Sequence, residues 1–426
     1  MSSVLRKNEF KQLIEVGSVA RGKSRHRPRN DPQLYGGAYP FVQTGDVKAA
    51  PFYLREFDQT YNEKGLAQSK LWPPGTLCIT IAANIADTAI LAMPACFPDS
   101  IIGFTADPKE SDAKYVKYCL DTYKQRIRAI SQGTTQDNLS VEKLLSFRFR
   151  IPDCAVQKKI AAVLSAYDDL IENNRRRIAL LERMAEQLYR EWFVRFRFPG
   201  YQQAKFLKGV PLGWETELAS QFFGYMRGKS YTSEELSDDP KQAPFITLKS
   251  FNRGGGYRAD GLKRFSGRHK PEQLVRQNDI VMAVTDMTQG REVIGRAARV
   301  PDFGVHGAVI SMDVIKLVPK TISASFLYSY LRLSGFGEFI KEFANGTNVL
   351  HLKPDLVTRQ RITMPPEILR DQFSAIIEPI FEQIDTLSKA NGPLEASRDL
   401  ILPRLISGKL RVDELDIQFP PSMPAG

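Results

Sequence analysis

Histidine and cysteine are scarce in this chain, four of each in 426 residues. The cysteines, Cys78, Cys96, Cys119 and Cys154, are scattered, and no C-x-x-C spacing occurs. That argues against a zinc framework and for reduced, buried thiols. The opening residues, "MSSVLRKNEFKQLIEV", lack the apolar core of a secretion signal, so a cytoplasmic protein is expected. Apolar runs long enough to span a bilayer are also rare. One stretch needs weighing, "TLCITIAANIADTAILAMPACF" at residues 76–97. Asn84, Asp87, the threonines and the preceding Pro73-Pro74-Gly75 predict strand, turn and strand there, and no membrane partner. Catalytic signatures are missing too. Adenine-modifying amino-methyltransferases place Asn or Asp before Pro-Pro-aromatic. The Pro-Pro pairs here, at 73–74, 365–366 and 420–421, follow Trp72, Met364 and Phe419. No catalytic residue, metal or cofactor of the chain's own is expected.

Positive charge is in surplus. Lys and Arg number 59 against 48 Asp and Glu, a net +11. A basic surface of this kind suits a polyanion. With 42% apolar and 25% charged residues, the chain has the composition of a globular protein, and its length suits two or three domains.

The sequence repeats itself at a period of just over 200 residues. "RGKS" occurs at 21–24 and at 227–230; "YPFVQTGDVKA" at 39–49 parallels "APFITLKSFNR" at 243–253. "PGTLCITIAAN" at 74–84 parallels "QNDIVMAVTDM" at 277–287, and "SQGTTQDNLSVEKLLSFRFRIP" at 131–152 parallels "ANGTNVLHLKPDLVTRQRITMP" at 344–365. Four matches in one order define an internal duplication. Each copy reads as mixed α and β. The segments 113–130 and 324–343 have helical periodicity, and "FRFRI" and "RITM" read as terminal strands.

The repeat decides the meaning of "GSVARGKS", residues 17–24, which has the spelling of a phosphate-binding loop. Such a loop needs a helix immediately after it. Here Pro28 and Pro32 occupy that place, and the second copy has Phe223 where the first loop glycine belongs. The copies share a short basic turn rather than a nucleotide cradle. Arg21, Lys23, Arg25, Arg27 and Arg29 make the first turn a candidate for phosphates or guanine edges, and Arg227 and Lys229 recur in the second.

Between the copies, residues 153–198 contain no Gly and no Pro. Ile160, Leu164, Tyr167, Ile171, Asn174, Ile178, Leu181, Ala185, Leu188 and Trp192 recur at alternating steps of four and three. This is a heptad seam with one polar position, Asn174, suited to fixing register. A helix of this length reaches about 60 Å. Its expected partner is the C-terminal segment, where Phe373, Ile377, Ile380, Ile384 and Leu387 keep the same rhythm, continued by Leu394, Ile401 and Leu405. Pro379 and Gly392-Pro393 predict that this second helix is kinked or split. The expected fold is α+β, two pseudo-repeated mixed α/β domains separated by two long antiparallel coiled-coil helices. Two unlike basic halves held apart by such a rod suggest a reader of an asymmetric, two-part DNA site, with elements about one helical turn (roughly 34 Å) apart.

The stretch "QKKIAAVLSAYDDLIENNRRRIALLERMAEQLYREWFVRFRFPG", 157–200, closely resembles the central conserved region of type I restriction-modification specificity subunits. "SRDLILPRLISGKLRV", 397–412, is similar to their C-terminal conserved region, and "SQGTTQDNLS" and "ANGTNVLHLK" resemble the ends of their target-recognition domains. The resemblance implies four parts: a first target-recognition domain at 1–152, a central helix at 153–200, a second target-recognition domain at 201–365 and a C-terminal helical region at 366–426. It further implies a non-catalytic subunit whose paired helices act as a ruler on double-stranded DNA. Those helices would dock two methyltransferase subunits, with nuclease-translocase subunits joining. S-adenosylmethionine, ATP and Mg would be carried by those partners.

The DNA-contact candidates lie in loops. In the first half they are Arg21, Lys23, Arg25, Gln43, Thr44, Lys48, Thr134, Thr135 and Gln136. In the second they are Arg227, Lys229, Lys249, Arg253, Arg291, Thr347 and Asn348. Side chains of these types read base edges or hold phosphates. Two other readings remain at this stage. One is an enzyme acting alone, an NTPase through residues 17–24 or a nuclease through Asp99 with Asp107 and Lys109. Pro108 weighs against the latter, because it would break the strand presenting that lysine. The other is a coiled-coil scaffold whose charge is incidental.

Overall fold

The computed structural model describes residues 9–131 and 139–419. They fall into two compact units, one made of the described residues up to 174 together with those from 391 on, and the other of residues 175–390.

The first unit is built on a five-stranded sheet. Its order is Gly17–Arg21, Ile101–Ala106, Leu77–Thr80, Thr88–Leu91 and Tyr53–Leu54. The apolar stretch at 76–97 supplies the third and fourth strands, and every residue of both is buried. Alternation on a pleated strand explains where they point. Leu77 and Ile79 face a core shared with the helix Ala113–Ser131, while Cys78 faces a second core with Val42, Trp72 and Phe97. No helix among the described residues is long and apolar enough to cross a membrane.

The second unit repeats this plan. Its four-stranded sheet runs Phe223–Arg227, Val314–Pro319, Ile280–Ala283, Ala297–Arg299. The registers match position for position. Arg21 pairs with Ile102 and Arg227 with Ile315; Leu77 pairs with Phe104 and Ile280 with Leu317. The turn before the central strand needs a left-handed residue in each copy. Gly75 (φ 83°) supplies it in one and Asn278 (φ 69°) in the other, two of the residue types that tolerate this conformation best. Where residues 324–343 read as one helix, the chain forms Ala324–Leu333 and Phe336–Ile340, divided at Gly335 (φ 84°).

The duplicated tail of each copy is a short helix, a strand and a long helix. These are Val141–Ser146, Phe149–Arg150 and Cys154–Tyr189 in one copy, and Pro354–Arg359, Arg361–Met364 and Glu367–Ile406 in the other. The central helix has 36 residues and runs into a π-helical turn, Arg190–Val194. The C-terminal helix has 40 residues and is continuous, so it is not split. Pro379, Gly392 and Pro393 all sit on its exposed side. The carbonyls that the prolines leave without a helical donor belong to Ala375 and Lys389, both exposed residues.

Within the first unit the two helices run antiparallel. Arg398 of the C-terminal helix donates to Asp168 at 2.5 Å, and the Asn174 amide donates to the Asn391 side-chain oxygen at 2.9 Å. Ile160, Leu164 and Ile171 are buried, and Leu405 joins the core of Ile160 and Leu164; Tyr167 and Asn174 are half-buried. Leu394 and Ile401 are partly buried. Within the second unit Tyr189 and Trp192 pack their rings on Phe373 at 5.8 and 5.9 Å. Ala185, Trp192, Phe373, Ile377, Ile384 and Leu387 are buried there, and Ile178, Leu181, Leu188 and Ile380 partly so.

Candidate nucleic-acid interface

The repeated basic turn owes its glycine to packing. A Cβ on Gly22 would lie 2.3 Å from the Pro98 carbonyl oxygen, and one on Gly228 would lie 2.0 Å from that of Ser311. Only a residue without a side chain lets the backbone pass so close. The next residue then bonds to the crossed segment: Lys23 N–H donates to the Phe97 carbonyl at 3.0 Å, and Lys229 N–H to that of Ile310 at 2.8 Å. No helix follows either turn; the next element after Ser24 is the single 3-10 turn Pro32–Leu34. Ser24 is buried, with its hydroxyl 3.3 Å from that of Tyr61. The phosphate-loop spelling therefore has no helix N-terminus to act through.

The crossed segment also carries the second shared feature. On its other side Phe41 bridges Cys96 and Phe245 pairs with Val309, both in parallel register. Each of these phenylalanines stacks on an aromatic two positions along the neighbouring strand. Phe41 lies on Tyr61 at 4.0 Å and 22°, and Phe245 on Phe265 at 4.7 Å and 20°. Immediately beyond comes a tight turn closed by its own side chains. Gln43 N–H donates to the Asp46 carboxylate at 2.7 Å, opening the helix Thr44–Ala49. Thr247 N–H donates to the Ser250 hydroxyl at 3.3 Å, opening the 3-10 turn Leu248–Ser250. Gln43 and Lys249 are exposed at these turns, Thr44 is half-buried, and Lys48 is exposed at the end of its helix. The Gln43 amide also donates to Gln59 at 2.7 Å.

The charges at these turns divide into engaged and free. Arg29 pairs with Asp99 at 2.6 Å, Arg253 with Glu292 at 3.0 Å, and Arg291 with Glu342. Arg27 folds back on the carbonyls of Ser24 and His26. Arg21 donates to the Asp99 carbonyl at 3.1 Å and lies near Glu142. The backbone amide at Glu142 and the Ser140 hydroxyl hold that carboxyl below its ordinary range, and Arg21 adds to the effect. The second copy does the same with Asp355. The Tyr225 hydroxyl lowers its pKa most, followed by Arg359, Arg227 and Lys353. Among the described residues the side chains of Lys23, Arg25, Arg227 and Lys229 make no hydrogen bond or ion pair.

Of the remaining candidates, Thr347 and Asn348 are exposed, and the Thr347 carbonyl accepts from Gln289. Thr134, Thr135 and Gln136 lie outside the described residues. Sequence reading missed several exposed cations. Lys353 and Arg359 flank Asp355; Arg268 and Lys270 follow the strand Lys263–Phe265, at the place where Lys64 and Lys70 follow Gln59–Tyr61. The string "SGRHK" at 266–270 was the available signal. Asp99 and Lys109 flank opposite ends of the six-residue strand Ile101–Ala106. That strand spans about 20 Å, too far for one nuclease centre.

Comparison with known proteins gives a consistent picture. The family model described as type I restriction modification DNA specificity domain matches residues 6–183. The type I restriction enzyme MjaIX specificity subunit of Methanocaldococcus jannaschii is 25% identical over 423 residues, covering 96% of this chain and 94% of that protein. The HindI specificity subunit of Haemophilus influenzae is 23% identical over 336 residues, covering 66% and 73% of the two chains. In fold, the chain is similar to the S subunit of the type I restriction-modification system from M. genitalium. The TM-score is 0.57 at 16% identity, over 94% of this chain and 97% of that one.

Proposed function

The chain belongs to the family of type I restriction-modification DNA specificity subunits, and from that premise we propose that it reads a two-part, asymmetric double-stranded DNA site. Specificity subunits are the non-catalytic members of their complexes. In this reading each duplicated half, 1–152 and 201–365, reads one element. The paired helices set the spacer and dock two methyltransferase subunits. Nuclease-translocase subunits complete the assembly in the cytoplasm, and the partners bring S-adenosylmethionine, ATP and Mg.

The observation that carries the proposal is the matched frame with unmatched side chains. Strand register, crossing glycine and aromatic stack agree in the two units, while the turn behind the stack reads Gln43-Thr44-Gly45 in one and Thr247-Leu248-Lys249 in the other. One scaffold presenting two different donor sets is what two different base sequences require.

Methylation mapping in cells that co-express the chain with its methyltransferase tests this. The expected result is one motif made of two unlike elements around a fixed spacer. A heptad inserted into each long helix, after Asn174 and before Asn391, adds about 10 Å of helix. That equals about three base pairs at 3.4 Å each. The same two elements should then appear with the longer spacer. Methylation at the original spacing would refute the ruler role, and a single undivided motif would refute the two-part reading.

A further inference from the structure

We infer that Lys23 and Lys229 are matched phosphate anchors, one per unit, that bind DNA without regard to sequence, and that base discrimination falls to the turns beginning at Gln43 and Thr247. The inference rests on the two-part DNA reading above and assigns roles within it.

The first argument is symmetry. Lys23 and Lys229 follow equivalent glycines, donate to equivalent carbonyls and leave strands of identical register. Identical side chains on identical frames present identical chemistry, so they cannot carry the difference between two elements. What both halves need equally is a grip on the phosphate backbone, which is the same at every sequence.

The second argument is availability. The Arg21 side chain is engaged by the Asp99 carbonyl at 3.1 Å. Among the described residues Arg227 makes no hydrogen bond or ion pair and feels only the charge of Asp355, so the position that is free in both halves is the lysine. The lysine two residues later has no partner among the described residues. A lysine ammonium on a flexible stem acts as a point charge, which suits a phosphate better than the directional edge of a base.

The third argument is spacing. Lys23 and Val42 flank one segment, residues 96–97, by backbone hydrogen bonds on its two sides, and Lys229 and Ile246 flank Ile310 in the same way. Two inter-strand steps place each lysine about 10 Å from the start of the capped turn. A major groove is about 12 Å wide. A cation at its rim and a capped turn over its floor fit that interval.

The test uses the chain in complex with its methyltransferase subunits and a duplex carrying the mapped motif. Affinity is measured between 50 and 200 mM salt for the wild type and for Lys23→Gln, Lys229→Gln and both together, and the methylated motif is mapped for each. Losing one phosphate contact lowers the salt slope by about 0.9. The loss of affinity across that fourfold salt range therefore shrinks by about 3.5-fold per substitution and by about 12-fold for the pair. The motif should stay unchanged, and Lys23→Arg should restore the slope. Gln43→Ala should instead relax one base of one element and leave the slope alone. An altered motif in Lys23→Gln, or an unchanged slope, would overturn the inference while the two-part reading stood. A wild-type complex with no two-part motif would overturn the reading itself.

Discussion

Arg398→Met probes a carboxylate on which three elements of the first unit converge. Asp168 of the central helix accepts from Arg398 of the C-terminal helix at 2.5 Å and from the Tyr118 hydroxyl of the sheet-covering helix. The Asp168 side chain is 9% exposed and that of Arg398 24%. Burial, then the Asp168 charge, raises the Tyr118 pKa well above its ordinary value, so the phenol stays a donor. Burial on its own would lower the Arg398 pKa, but the carboxylates of Asp168 and Asp399 more than offset it. Removing one partner of a buried pair costs about 3–5 kcal/mol, because the other charge is left uncompensated. Asp168 keeps the Tyr118 bond and water reaches part of the guanidinium, so the expected cost is about 2–3 kcal/mol. Asp168→Asn alone leaves Arg398 its Asp399 partner and should cost about 1 kcal/mol. Combined with Arg398→Met it leaves no stranded charge and should also cost only about 1 kcal/mol, a coupling of about 2–3 kcal/mol. Native-state hydrogen exchange of the helices Ala113–Ser131 and Cys154–Tyr189 reports this local stability. An Arg398→Met cost below about 1 kcal/mol, or additive single and double variants, would refute the reasoning.

Four further outcomes follow from two single sites and one turn. Asp286 accepts from the backbone N–H groups of Thr288, Val293 and Ile294 and from the Thr288 hydroxyl, so Asp286→Asn, which loses about two of these bonds to a charged acceptor, should cost about 3 kcal/mol in denaturant unfolding. Burial would raise the Asp286 pKa, yet those donors bring it below its ordinary value; its stabilisation is therefore present above the unfolded pKa of about 3.9 and lost as pH falls through the lower folded value, which proteolysis of the 287–293 loop at falling pH would follow. Gly228→Ala forces a methyl against the Ser311 carbonyl and should cost about 1–3 kcal/mol and degrade one element of the methylated motif while sparing the other. Replacing residues 43–46 by Thr-Leu-Lys-Ser, the sequence of the second turn, keeps an N-cap residue and an acceptor three positions on, so thermal unfolding should be little changed while one element of the motif is altered.

The features legible in the sequence were those with a strong period or a repeated spelling. The run at 76–97 alternates between two cores, and the seam from Ile160 to Trp192 steps by four and three; both patterns are properties of the chain alone. What depends on the third dimension was not legible. Pro379 and Pro393 read as breaks, because a sequence does not say that their freed carbonyls belong to exposed residues. The loss of Arg29, Arg253 and Arg291 to Asp99, Glu292 and Glu342 needs partners 70, 39 and 51 residues away. Lys353 and Arg359 were passed over because nothing local marks them as neighbours of Arg227.

The duplicated frame also explains why the shared spelling misleads. Four identical residues in two places suggest a motif selected for one chemistry, yet the four do different jobs. Gly22 and Gly228 are required by a backbone crossing, and Arg21 and Arg227 lie beside an acid of their own half. Ser24 is buried beside the Tyr61 hydroxyl, but its counterpart Ser230 is exposed, and Phe265 stands where Tyr61 would be. Only the lysine is left with an unused functional group in both halves. Packing therefore accounts for most of the repeated string, and ligand chemistry has to be sought in what packing leaves over.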